Sequence, residues 1–278
     1  MIKTIHNIII CLLFATLCPS CTEDDMITVA PQMVVEGWID AGGFPMVFLS
    51  RTIPVSSDRK DAAAVEDFLI KWAKVVVSDG EREVVLTGKT DSNLYPPFVY
   101  TTGDMRGEPG KTYKLTVKYE DFYAEAYTTI PNPVSVERIY IDEDNAIKAV
   151  INDNPDEKNF YKFFIKVAGR DAMFYSSNTA TIDDEEYSFP AEITLDIPAL
   201  NIYNSELRYY EIQRGDIIHV KYAQIDASAY SFWNDYMNLV DVGRNPYFRY
   251  NRNPYSNVSG ALGYWFGYGS TKYLLIAR

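Results

Sequence analysis

Cys21 is the residue whose chemistry the sequence defines best. Ser20 stands directly before it, the run from Ile8 to Leu17 is apolar, and Lys3 places a positive charge near the start. An apolar run of about ten residues fits the hydrophobic region of an export signal and falls well short of the roughly 20 needed for a membrane-spanning helix. A lipoprotein signal peptidase admits only a small side chain before the cysteine at which it cuts, and Ser20 meets that need. Cys21 is therefore expected to become the acylated first residue of the mature chain, although Cys18 and Pro19 stand where a leucine and a small residue are usual. The acids of Thr22-Glu23-Asp24-Asp25 follow at once. Such a run resembles the signal that sends some Gram-negative lipoproteins to the outer leaflet.

Other reactive side chains are scarce. The cysteines are Cys11, Cys18 and Cys21, so a chain beginning at Cys21 has no disulfide, no thiolate metal site and no spare thiol nucleophile. His6 leaves with the signal, and His219 sits in the apolar stretch Ile217-Ile218-His219-Val220, where it reads as a hydrogen-bonded, half-buried imidazole on a strand. One histidine supports neither a zinc site nor, without a Gly-x-Ser-x-Gly elbow, a serine triad. No phosphate-cradling glycine loop is present, and no cofactor or metal is expected. The 38 acids offer many carboxylate pairs, and sequence cannot select one of them for glycosidase work. The acidic clusters Asp142-Glu143-Asp144-Asn145, Asn152-Asp153-Asn154-Pro155-Asp156 and Asp183-Asp184-Glu185-Glu186 lack the spacing of a calcium loop and read as solvated turns. The net charge is −12 and no basic stripe offsets it, which argues against nucleic acid as a partner.

The elements that must position any site are mostly strands. About 258 residues follow the signal, enough for one large β-domain or two ordinary ones. The 22 Tyr, 14 Phe and 4 Trp suit pleated, half-buried surfaces. Lys74-Val75-Val76-Val77-Ser78, the turn dipeptide Asp79-Gly80 and Glu83 to Thr87 spell strand, turn and strand. Lys111 to Val117 alternates, placing Tyr113, Leu115 and Val117 on one face. That strand is similar to the Gly-x-x-Tyr-x-Leu-x-Val strand of immunoglobulin-like sandwiches, with Phe122 to Tyr127 as its hairpin partner. Ile130-Pro131-Asn132-Pro133 marks a connector, because prolines do not sit inside a paired strand. Val136 to Ile141, Ala146 to Ile151 and Phe160 to Val167 read as three further strands.

One helix is expected at about 226–241. Asp226 is its N-cap, Tyr230, Trp233, Met237 and Val240 form an apolar face flanked by Tyr236 and Leu239, and Gly243 is its stop. Docking onto a sheet explains that face better than a ligand box does. The stretch from Asn245 to Val258 is dense in aromatics, arginine and asparagine, and Tyr247, Phe248, Tyr250 and Tyr255 are its candidate binding residues. Gly260 to Ile276 reads as a glycine-marked final strand.

In order and spacing, several of these segments resemble the lipoprotein family catalogued as domain of unknown function family 4249. The matching residues are Val34 to Ile39, Ser50 to Val55, Ala73 to Gly80, Gly110 to Val117, Thr128 to Pro131 and Pro254 to Trp265. The resemblance covers nearly the whole mature chain. It implies a β-rich, membrane-anchored accessory protein of Gram-negative bacteria, often associated with a TonB-dependent outer-membrane transporter, and carries over no catalytic residue.

The expected organisation is a signal peptide over 1–20, an acidic tether over 21–30, an immunoglobulin-like β-sandwich over 31–131 and a second β-sandwich over 132–278 with the docked helix. The expected function is that of a non-enzymatic accessory or binding protein, anchored in the outer membrane through Cys21 and facing the cell surface. It would contact the transporter through Ser56 to Asp67 and Asn245 to Val258 and take a glycan or peptide ligand. The alternatives are a stand-alone surface glycan-binding lipoprotein, read from exposure of the four loop aromatics, and a carboxylate-based glycosidase.

Overall fold

Alternation along the chain is realised as strands throughout the computed structural model, which describes residues 30–52, 66–154, 156–197, 210–243 and 253–278. The signal, Cys21, most of the tether, residues 56–65 of the first expected contact loop, and Tyr247, Phe248 and Tyr250 lie outside the described residues. The fold is an all-β sandwich, with one α-helix element among the described residues.

The first strands are β1 (Met33–Asp40), β2 (Met46–Arg51), β3 (Lys74–Ser78), β4 (Glu83–Val85), β5 (Thr87–Thr90) and β6 (Phe98–Thr101). The hairpin β7 (Thr112–Tyr119) and β8 (Phe122–Thr129) follows, then β9 (Arg138–Ile141), β10 (Ile147–Ile151) and β11 (Phe160–Val167). After the short β12 (Tyr175–Ser176) and β13 (Ile182–Asp183) come β14 (Ala191–Leu195), β15 (Ile217–Ile225), the helix α1 (Ala227–Gly243), β16 (Val258–Ser259) and the long β17 (Leu262–Ile276). They form a nine-stranded sheet in the order β12-β11-β15-β17-β1-β2-β6-β5, with β13 also on β11, a five-stranded sheet β16-β8-β7-β3-β4 and a three-stranded sheet β14-β10-β9.

Both smaller sheets pack on the same face of the large one. Side chains alternate along a strand, so register fixes which residues share a face. Val35 pairs with Gly263 and Gly37 with Trp265, while Tyr273 pairs with Val220 and Ile165 with Val220. Met33, Val35, Ile39, Val47, Leu49 and Trp265 therefore look one way and meet Val75, Val77, Tyr113, Leu115 and Val117 of the five-stranded sheet in one core. Farther along that face Phe163, Ile165, Ile218 and Val220 meet Ile147, Ala149 and Ile193 of the three-stranded sheet in a second core. The two sandwiches share a sheet: β17 pairs in parallel with β1 and antiparallel with β15, and Pro31–Arg278 is one compact unit. The Ile130-Pro131 connector runs across β17, where Gly267 and Gly269 leave room for it. A Cβ at Gly269 would collide with the Pro131 carbonyl oxygen.

The β3–β4 hairpin and the β7–β8 hairpin form where alternation and turn residues place them. Gly80 takes a φ of +88° in the first turn, which a side chain would oppose. Beyond β4 the chain changes sheets: Leu86 is buried, its N–H donates to the Val75 carbonyl, and β5 pairs with β6 in the large sheet. The Tyr113 hydroxyl accepts the Glu108 N–H at 2.8 Å and donates to the Arg106 carbonyl at 3.2 Å, tying the preceding loop to β7.

One expectation is corrected here. Asp183 and Asp184 are buried rather than solvated: the Asp183 carboxylate accepts the Glu185 N–H at 3.2 Å and pairs with Lys158 at 3.3 Å, while Asp184 accepts the Asn159 N–H at 2.6 Å. A free backbone donor at Asn159 and a nearby ammonium draw these acids inward.

The helix starts at its predicted cap. The Asp226 carboxylate accepts the Ala229 N–H at 2.8 Å, satisfying one of the donors that the first turn leaves without an intrahelical partner. Asp226→Ala is expected to cost about 1 kcal/mol in chemical denaturation. A loss near zero would mean that sheet packing alone holds the first turn.

Candidate functional site

The free face of the large sheet carries the helix and, beside it, a pocket of about 550 Å³. From β1, Glu36, Trp38 and Asp40 line it, the even-numbered face opposite the core. From β17 come Tyr264 and Tyr268, which pair in register with Glu36 and Asp40. Lys221 enters from β15, and Phe164 and Lys166 from β11. The segment Ala172 to Ser176 supplies Met173, Phe174 and Tyr175, and α1 supplies Phe232, Trp233, Tyr236 and Met237.

The helix docks through Ala229, Phe232 and Trp233, all buried, in a third apolar cluster with Phe164, Phe266 and Tyr268. Its expected face is turned by about one residue: Tyr230 is half-buried and Tyr236 is exposed. The same helix that docks on the sheet thus also forms one wall of the pocket. Its rings make a continuous group, with centroids 4.6 Å apart for Phe232 and Tyr264, 5.7 Å for Trp233 and Tyr236, and 5.0 Å for Tyr264 and Phe266. Trp38 stacks on Phe48 at 5.8 Å. Crowding by protein holds the phenols of Tyr264 and Tyr268 well above their ordinary value, so both are hydroxyls at neutral pH.

At one end of the pocket lies a buried ion pair. The Lys221 ammonium donates to Asp40 Oδ1 at 3.0 Å, and the Ser270 hydroxyl reaches the same oxygen at 3.2 Å. The ammonium also lies 4.2 Å from the ring centre of Phe164, 4.6 Å from that of Tyr268 and 5.7 Å from that of Phe174. Desolvation pulls Lys221 below the usual lysine range, with Asp40 opposing that shift. Next to it on the sheet, Lys166 donates to the Ala172 carbonyl at 2.9 Å. Lys162, fully buried on the same face of β11, donates to the carbonyls of Ser177 and Thr179 and is brought down to about 7 by burial.

Glu36 stands toward the other end. Its side chain keeps solvent exposure in the concave wall while protein crowds it, and desolvation pushes its carboxyl above the usual carboxylate range.

Of the predicted site residues, Tyr255 is exposed and its backbone N–H donates to the Asp235 carboxylate on α1 at 2.9 Å. His219 is half-buried on β15. Among the described residues no three of His, Cys, Asp and Glu gather as metal ligands. The sequence reading missed the pocket. The available signal was charge on strands with two apolar faces, as at Lys162, Lys166 and Lys221, since charged side chains are rarely buried unless paired.

Fold and site together define an all-β sandwich protein with an aromatic pocket on the face of its shared sheet. The chain belongs to the family described as Domain of unknown function (DUF4249), which it matches over residues 21–273. No curated protein matches it.

Proposed function

We propose that this is a lipid-anchored, non-enzymatic binding protein of the outer membrane, facing the cell surface and working with a TonB-dependent nutrient transporter. The observation that carries the binding half is the pocket. Its volume falls in the roughly 300–1,000 Å³ range of small-molecule sites, and its wall is mostly aromatic with a few placed charges, as such sites are built. The anchoring half rests on the small Ser20 before Cys21, the acidic run behind it, and a family match that begins at Cys21. The transporter half rests on the family resemblance.

Glycosidase chemistry fits the pocket less well. Glu36 and Asp40 lie four residues apart on one strand, about 13 Å along it, beyond the roughly 5–9.5 Å between catalytic carboxyls. Asp40 is also engaged by Lys221 and Ser270. A second reading, a stand-alone glycan-binding lipoprotein, draws on the exposed ring of Tyr255.

The test is to capture the tagged, full-length protein from detergent-solubilised outer membrane and identify what comes with it. One TonB-dependent barrel in stoichiometric amount is the expected result. Capture of the protein alone counts against the partnership and favours the stand-alone reading. Cys21→Ala is expected to release the protein from the membrane fraction; retention there would overturn the lipid anchor.

A further inference from the structure

The two ends of the pocket are built alike along β1. Asp40 and Glu36 are both acids on its helix-side face, and each pairs in register with a tyrosine of β17, Tyr268 and Tyr264 respectively. At Asp40 the fold supplies a cation, the Lys221 ammonium, bonded to the carboxylate and surrounded by three rings. At Glu36 the rings are present as well. Tyr264 is its partner on one side and Phe48 on the other, and Trp38 is the next residue on its own face. Phe232 and Tyr236 of α1 continue the ring wall from Tyr264. Both phenols feel the Glu36 charge, which opposes their ionisation. Among the described residues no lysine or arginine pairs with Glu36.

We propose that the Glu36 end of this pocket binds the ammonium or guanidinium group of a ligand whose apolar body lies against Trp38, Phe232 and Tyr264. A carboxylate amid aromatic faces suits a cation on two counts, direct ion pairing and attraction to the ring quadrupoles. An anion would face Glu36 unpaired, and the lysines that line the pocket, Lys221 and Lys166, are already held by Asp40 and the Ala172 carbonyl. A plain apolar ligand would leave the carboxylate desolvated without a partner, which is costly. The cation restores what crowding takes from Glu36, so binding favours the ionised carboxyl and releases a proton where the free carboxyl is partly protonated. Affinity therefore falls as pH drops through the raised range of Glu36. The charged and titratable groups that line the pocket with it are Tyr264 and Tyr268 on β17, Tyr236 on α1, Asp40 on its own strand, Lys221 on β15, Lys166 on β11 and Tyr175 on β12. Desolvation raises Tyr264 and Tyr236, so both stay hydroxyls as the pH falls.

The inference rests on the ligand-binding half of the reading above and is independent of the transporter. Its test is calorimetric titration of the full chain in nonionic detergent with phenethylamine and with the amide of acetyl-phenylalanyl-arginine. The neutral comparators are 2-phenylethanol and the citrulline analogue of that peptide. Both cations, or one of them, should bind more tightly than the matched neutral compound, and Glu36→Gln should weaken the cation by about tenfold while leaving the comparator unchanged. Binding of the amine alone assigns a free small amine as source, and binding of the arginine peptide alone assigns a basic peptide. Trp38→Leu, which keeps Glu36, should weaken the cation too. Equal binding of charged and neutral probes, an unchanged cation affinity in Glu36→Gln, or no cation binding at millimolar concentration each overturns the proposal. Cation binding without a captured barrel would sink only the transporter partnership, and the reverse pattern only this inference.

Discussion

Asp40→Ala is expected to lower folding stability by about 3–5 kcal/mol at neutral pH, because removing one member of a buried ion pair strands the other. Lys221 has 3% of its side-chain surface exposed and Asp40 13%, so solvent screens the pair little. The alanine variant leaves an ammonium among Phe164, Phe174 and Tyr268 with no counter-charge. Ring attraction offsets only part of that, about 2 kcal/mol for a desolvated cation. The pH dependence has a definite sign. Burial depresses Lys221 in the folded protein, so between its folded value and the ordinary lysine range the unfolded chain binds more protons and stability rises with pH. Loss of Asp40 removes the partner that opposes the depression. The deficit of the variant therefore narrows as pH rises toward the ordinary lysine range. Urea denaturation followed by tryptophan fluorescence at neutral and alkaline pH measures both quantities. The double variant Asp40→Leu, Lys221→Met should recover most of the loss, since a buried pair replaced by apolar side chains of similar volume is often neutral. A single-variant loss under about 1 kcal/mol would mean that Lys221 is not held as a buried cation.

Trp265→Ala should cost a similar amount, about 3–5 kcal/mol, for a different reason. Trp265 is fully buried between the large sheet and the five-stranded one, and its side chain lies over Gly37, where a Cβ would come 2.9 Å from Cε3. Its indole N–H donates to the Tyr113 carbonyl at 3.0 Å, a bond from β17 into β7 of the opposite sheet. The backbone is fixed too: the Trp265 N–H donates to Asn257 Oδ1 at 2.9 Å and its carbonyl accepts from Asn257 Nδ2 at 2.8 Å. Alanine removes the ring volume and the cross-sheet bond together. Trp265→Phe keeps most of the apolar area and should lose only about 1 kcal/mol, the worth of the hydrogen bond. Thermal and urea unfolding of both variants separate the two contributions, and equal losses would show that the hydrogen bond, not the ring volume, dominates.

Legibility follows the range of the interactions. Tyr113, Leu115 and Val117 announce β7 because alternation is local, Asp79-Gly80 announces its hairpin because turn chemistry is local, and Asp226 announces the helix for the same reason. The pairing of β1 with β17 is invisible in either segment, since period-two alternation says which face a residue takes and nothing about which strand lies alongside. The same limit hid the pocket. Its walls come from β1, β11, β15, β17, α1 and the segment Ala172 to Ser176, which lie far apart in the chain. Charge alone suggests exposure for Asp183 and Asp184, while their burial depends on Lys158 and Asn159, each 25 positions from its partner. The prolines at Pro131 and Pro133 mark a connector, but the sheet passes by them through β17, which no composition shift in that region reports.

The double pairing of β17 has a consequence for how the protein reaches its native state. β1 and β17 lie at opposite ends of the described chain, and among the described strands the hydrogen bonds between them close the largest loop. Until β17 arrives, β1 and β15 each present an open edge, and the two hydrophobic cores share a sheet that has a gap in its middle. Contacts of such long sequence separation make folding slow, and open edges invite pairing with other chains. A chain cut anywhere before Leu262 therefore loses the seam of both sandwiches at once.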